Sequence, residues 1–217
     1  MFIGHFGLAL AAKKAAPAVS LGTLFLAAQL ADLVWPVLVL AGIERFEIRP
    51  GITAVTPLDF VHYPWSHSLA ALVAWGAAFG IGYRLLRGAG WRAVLVIAAL
   101  VVSHWVLDVV THRPDMPLAP GGSLKLGLGL WNSLAATALV EVALFLGCLA
   151  IYGRATRAVD RTGRWALAGL VAFLFAVYAA NLLGPPPPSA QAVTWSVMAM
   201  WLLVAWGYWI DRHRRAR

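Results

Sequence analysis

The sequence predicts an all-α polytopic membrane protein, a bundle of about six transmembrane helices preceded by an N-terminal half-helix. Of its 217 residues, 61% are hydrophobic and only 12% charged, whereas an ordinary soluble domain is about a quarter charged. Six runs reach about 20 apolar residues, the length that spans a hydrocarbon core of roughly 30 Å. Lys and Arg gather in alternate connections between these runs, as the positive-inside bias of membrane proteins requires.

Taken in order, the apolar stretch Phe2 to Ala12 is too short to cross, since a helix rising 1.5 Å per residue makes it about 18 Å long. Its lysines, Lys13 and Lys14, follow the apolar run instead of preceding it, the reverse of a secretory signal, so it belongs to the fold. Pinned at Lys13 and Lys14, this half-helix starts near mid-bilayer and carries His5 into the bundle. Broken elements of this kind survive only where protein or a watery cavity satisfies them. Full spans follow near residues 20 to 42, 66 to 87, 91 to 112, 130 to 152, 164 to 184 and 191 to 211. They leave a single membrane domain, 1 to 217, with no room for a soluble one.

The basic connections hold Lys13 and Lys14, then Arg84, Arg87 and Arg92, then Arg154, Arg157, Arg161 and Arg164, and finally the tail from Arg212 to Arg217. This places them, and the C-terminus, in the cytoplasm of a bacterial inner membrane. The other connections, 43 to 65, 113 to 129 and 185 to 190, are rich in proline and read as irregular outer loops. The net charge of +8 sits in short loops and the tail, so it suits lipid headgroups; no nucleic acid is expected. Cys148 has no partner, which excludes a disulfide framework or a thiolate metal site. The 11 tryptophans suit interfacial belts and packing.

Against this apolar background, ionisable side chains inside spans stand out, because each costs about 2.5–3.5 kcal/mol to insert. They are Asp32, His67, His104, Asp108, His112 and Glu141. The spacing of four puts His104, Asp108 and His112 on one helix face. Neutral imidazole and carboxylate both suit Zn²⁺ or a similar divalent ion. Counting 1.5 Å per residue from the cytoplasmic side, Asp32 comes at about 18 Å and His104 at roughly 20 Å. The remainder lies closer to the outer surface, so the set converges on the outer half of the membrane. Several buried charges at one depth need a common partner, and a cation is the simplest. Singly, Glu141 and His112 are equally well read as interhelical hydrogen-bonding groups. His62 and Asp59 fall in an outer loop, and His213 in the tail reads as solvated.

Four stretches, in this order, resemble a known family: Gly4-His5; Ala31-Asp32-Leu33; His62 to Ser68, reading His-Tyr-Pro-Trp-Ser-His-Ser; and Ser103 to Thr111, reading Ser-His-Trp-Val-Leu-Asp-Val-Val-Thr. The family is the YdjM-like inner-membrane metal-dependent hydrolases, which look distantly related to zinc-dependent phospholipase C and the zinc nucleases akin to it. The resemblance covers residues 1 to about 115. It implies Asp32, His67, His104 and Asp108 around one metal, His5 joining Asp108 near a second, and His62 as an additional ligand or supporting group. The chain departs from the pattern where relatives carry Pro-Asp-x-Asp, keeping only Asp32, and where Tyr63 and Pro64 replace Arg and Gly. Arg113 is placed to supply the missing anion-binding arginine if it turns inward. The segment His112-Arg113-Pro114-Asp115 offers further ligands at the outer mouth.

The resulting expectation is hydrolysis of an ester or phosphoester in a lipid-like substrate near the outer face. Asp108 or Glu141 would act as general base, with Ser66, Ser68 and Ser103 orienting imidazoles. Two rivals use the same residues: a metal or proton transporter, and a scaffold with a structural metal. The apolar inner halves of the spans favour a dead-end site over a conduit.

Overall fold

The computed structural model describes all residues, 1–217. Its helices begin where the sequence offers caps. Ser20, Ser68, Ser133, Asp160 and Ser189 each accept a hydrogen bond from a backbone N–H in the first turn of the helix that follows, satisfying donors that have no intrahelical partner. These caps open α2 (Leu21–Ala28), α5 (Leu69–Arg87), α7 (Leu134–Ala155), α8 (Arg161–Leu183) and α9 (Ala190–Met198). Between them stand α1 (Ile3–Ala15), α3 (Leu30–Leu40), the short turn α4 (Pro64–His67) and α6 (Trp91–Thr111), and α10 (Trp201–Arg212) follows α9. Five apolar helical segments are long enough to cross a membrane, and α2 and α3, bent by 57° at their junction, reach that length only together. The protein is a multi-pass, all-α helix bundle.

The first expected span is therefore two helices, not one. The bend falls at Gln29, where neither proline nor glycine warns of it; Pro36 lies farther on, inside α3. The last span is likewise interrupted, between Met198 and Trp201.

The half-helix exists and is longer than its apolar stretch, running through Lys13 and Lys14 to Ala15. It sits inside the bundle, packed on α7, α2 and α6, with Ile3, Phe6, Ala9 and Leu10 inaccessible to solvent. Lys13 is buried at its far end and pairs with Asp211 of α10 at 2.9 Å, while donating to the Val19 carbonyl at 2.8 Å. The same end holds a small sheet in which β5 (Thr156–Ala158) pairs antiparallel with β6 (Arg214–Ala216). The basic tail is thus a strand, and His213 is held there by Asp160 at 2.7 Å instead of being free in solvent.

The opposite end is more ordered than a set of proline-rich loops. Here β1 (Arg45–Ile48) and β2 (Leu58–His62) form a hairpin, and β3 (Met116–Pro117) pairs with β4 (Lys125–Leu126).

Small residues set how closely α5 approaches α6. A side chain at Gly80 would meet the Val94 carbonyl oxygen at 2.8 Å, and one at Gly76 would meet that of Ala98 at 3.0 Å. The four-residue spacing matches the small-xxx-small pattern of close membrane helix pairs. Gly80→Leu is expected to destabilise the fold by about 1–3 kcal/mol through overpacking, read as a lower melting temperature in detergent. Gly82→Leu, where a Cβ meets nothing within 4 Å, is the neutral control; equal melting of the two variants would contradict this packing.

Candidate metal centre

The centre is assembled on α6, which presents His104 and Asp108 one turn apart, both buried. Their i,i+4 spacing aligns the side chains, and His104 Nε2 lies 3.1 Å from Asp108 Oδ2. Yet His104 Nε2 makes no hydrogen bond: the two atoms are close without being aligned on each other. The other ring nitrogen, Nδ1, donates to the carbonyl of Ala28 at 2.8 Å. A carbonyl can only accept, so the proton of neutral His104 is on Nδ1 and the Nε2 lone pair faces the carboxylates. Ala28 is the last residue of α2, so the bend at Gln29 sits beside the centre.

His67 is oriented by a longer chain. It belongs to the turn α4 before the second span, not to the span itself. Glu44, buried below the hairpin, accepts from the backbone N–H of Trp65 at 2.8 Å and of Ser66 at 2.9 Å, and from the Ser66 hydroxyl at 2.6 Å. With its proton given to Glu44, Ser66 Oγ accepts from His67 Nδ1 at 2.7 Å. His67 Nε2 is left pointing inward, 3.4 Å from Asp32 Oδ1 and 4.0 Å from Asp108 Oδ2. Asp32 Oδ1 is also 3.8 Å from His104 Nε2.

Two lone-pair nitrogens and two carboxylates therefore face one another at 3.1, 3.4, 3.8 and 4.0 Å. Ligands held at about 2.0–2.1 Å around a tetrahedral ion are separated by roughly 3.3 Å. The arrangement fits a divalent cation, with Asp32, His67, His104 and Asp108 as its donors. Asp32, His67 and His104 form one such group, and His5, His104 and Asp108 a second that shares His104.

His5 reaches the centre because α1 begins inside the bundle. Its Nε2 is 3.1 Å from Asp108 Oδ1, and its ring stacks on His104 at 3.8 Å, nearly parallel. His5 Nδ1 has no partner. The amino group of Met1 contacts the same Asp108 oxygen at 2.5 Å. An α-helix that starts here exposes N–H groups with no side-chain cap of its own. Glu141 of α7 supplies the acceptor, taking the N–H of Phe2 at 2.8 Å and of Gly4 at 3.4 Å. Placed at the positive end of the helix dipole, Glu141 anchors through Oε2 the half-helix that carries His5.

Other residues named from the sequence lie elsewhere. His62 is exposed on β2, opposite Arg45, and joins neither group. His112 leaves the common face because α6 ends at Thr111 and its backbone turns extended, with φ −65° and ψ 152°. Its ring packs on Trp131 at 4.2 Å, and Nδ1 meets Asp115 Oδ1 at 2.9 Å. Ser68 caps α5, and Ser103 donates to the Leu100 carbonyl of its own helix, so Ser66 alone touches an imidazole. Glu44 is the residue that sequence reasoning missed, and with Arg45, Glu47 and Arg49 beside it no local signal sets it apart.

At the mouth, Asp115 gathers His112, the Tyr63 hydroxyl at 3.0 Å and Arg113 Nε at 3.0 Å. Burial alone would raise its carboxyl, but these donors hold it below the usual carboxylate value. Burial, with Asp115 beside it, pushes the Tyr63 phenol well above its ordinary range. Arg113 also contacts Asp59, so it bridges two carboxylates instead of entering the centre.

Glu141→Leu is expected to strand the Phe2 and Gly4 amides, at about 1–3 kcal/mol for each unpaired group. Hydrogen exchange at these two amides should accelerate in the variant; unchanged protection would contradict the anchoring role. No protein family, curated protein or solved structure matches the chain.

Proposed function

We propose that this chain is a metal-dependent, zinc-type hydrolase of the bacterial inner membrane, acting on an ester or phosphoester of a lipid-like substrate near the outer face. The observation that carries the reading is the pair of imidazoles, each with Nδ1 committed to a fixed acceptor and Nε2 turned toward Asp32 and Asp108. Backing of this kind fixes the tautomer and strengthens a metal ligand. A bound Zn²⁺ supplies Lewis-acid polarisation and brings the pKa of its water to about 7.

The chain's own residues set the rest. His67, His104 and Asp108 have side chains no more than 4% exposed, whereas Asp32 is 26% exposed. Asp32 thus marks the open side of the centre, where substrate approaches and where a proton leaves. Asp108 holds its two oxygens apart in function, one toward His104 and the other toward His5.

The transporter reading is disfavoured by what lies between the centre and Lys13. Phe6 and Phe25 meet edge to face at 5.2 Å, and with Leu10, Leu21 and Leu24 they are wholly buried. None of these side chains can ligate an ion, and the buried Thr23 of α2 is engaged with the Tyr208 hydroxyl at 2.9 Å. The cytoplasmic placement of the basic end follows the positive-inside bias, and the YdjM-like resemblance of residues 1 to about 115 supports the hydrolase class.

Metal analysis of purified protein tests this directly. Wild type should carry bound divalent metal, and His104→Ala and Asp108→Ala should lose it; wild type no richer than the variants would sink the proposal. Ser66→Ala is expected to weaken metal binding by about 10- to 100-fold, the usual effect of removing a ligand's hydrogen-bonding support. Hydrolysis of phosphoester and lipid-ester substrates should fall in parallel, and liposomes bearing the protein should show no metal flux.

A further inference from the structure

A second polar feature lies at the hairpin end, outside the metal-binding group. It is a cavity of about 380 Å³ walled by Arg49, Asp59, Arg113, Asp115 and Lys125, with Phe60 among its lining. This volume is within the range of small-molecule sites, roughly 300–1,000 Å³. Three cationic side chains face two carboxylates there.

The carboxylates are buried and act as braces. Asp59 holds Arg49 Nη1 at 3.0 Å and also contacts Arg113; Asp115 holds Arg113 Nε at 3.0 Å. These contacts use only some of each guanidinium's five N–H groups, and the others remain for a ligand in planes fixed by the braces. Glu47, two residues earlier on β1, takes Arg49 Nε and Nη2 and so fixes that plane further. With Glu47 counted, three carboxylates face three cations, and Lys125 is the cation that enters no ion pair and is left to meet an anion. Braced guanidinium forks beside an unpaired ammonium match the oxygens of a phosphate group.

The cavity is also coupled to the metal-binding helix. Asp115 bridges Arg113 and His112, and His112 directly follows α6, its N–H bonded to the Asp108 carbonyl at 2.7 Å. We propose that this cavity binds the phosphate of an anionic lipid headgroup and so docks the substrate beside the metal-binding group. Its catalytic meaning rests on the hydrolase reading, whereas the binding itself is measurable without turnover.

The test uses the full chain in detergent, with short-chain phosphatidylglycerol, inorganic phosphate and short-chain diacylglycerol as probes, and with metal content measured on each sample. Phosphatidylglycerol should bind in a salt-sensitive way. Lys125→Gln, which breaks no contact in the fold, should weaken it, and Lys125→Gln with Arg49→Gln should weaken it by about tenfold or more, as expected for lost charge-assisted hydrogen bonds. Metal content should not change. Competition by inorganic phosphate at similar concentration identifies the phosphate alone as the recognised chemistry; competition only by the lipid identifies the intact headgroup. Equal phosphatidylglycerol binding by wild type and the double variant, or equal binding of phosphate-free diacylglycerol, would overturn the proposal. Absence of metal from wild type would instead remove the hydrolase reading and leave the headgroup result standing.

Discussion

A carboxylate buried in a membrane bundle needs donors or opposite charge, and Asp108 has them within the protein on one oxygen only, which leaves the other to a cation. One of its oxygens faces His104 at 3.1 Å and, at a longer distance, His67; the other receives His5 and the Met1 amino group. The three imidazoles come from different elements: α6 itself, the turn α4 and the half-helix α1. The bundle must bring these elements to one depth, and its less regular features serve that end. The Nε2 lone pairs of neutral His67 and His104, whose protons point outward, face Asp32 and the second Asp108 oxygen and leave a negative focus, the electrostatic condition for holding a cation.

The irregular helices follow from hydrogen-bond bookkeeping in a medium without water. A half-helix that begins in the bundle interior is tolerable only if its first N–H groups find an acceptor, and Glu141 provides one. The bend between α2 and α3 falls where Ala28 accepts the His104 proton. At the far end, the Lys13–Asp211 pair fixes the other terminus of α1. The position of His5 is thus set from both ends of its helix.

Much of this was legible in the sequence because hydrocarbon is a demanding solvent. Apolar length located the spans, and the cost of intramembrane charge singled out Asp32, His67, His104, Asp108 and Glu141. Helical spacing paired His104 with Asp108 correctly but extended the face one turn too far. His112 follows the last helical residue, and periodicity carries no information once the backbone leaves the helix. Position relative to other elements was not legible. Glu44 sits among Arg45, Glu47 and Arg49, and nothing local distinguishes the buried acid from the exposed ones. The Lys13–Asp211 pair joins residues 198 apart, and the bend at Gln29 lacks the usual breakers. His62 looked like a ligand by proximity to His67, yet strand geometry turns it outward.

Imidazole and carboxylate groups from three elements, α3, α4 and α6, are placed to hold one divalent ion. Metal K-edge X-ray absorption on the purified protein reads those ligands directly. The account predicts a first shell of nitrogen and oxygen at about 2.0–2.1 Å with the outer-shell scattering of two imidazoles, and no sulfur at about 2.3 Å. A shell without imidazole scattering, or one containing sulfur, would contradict it.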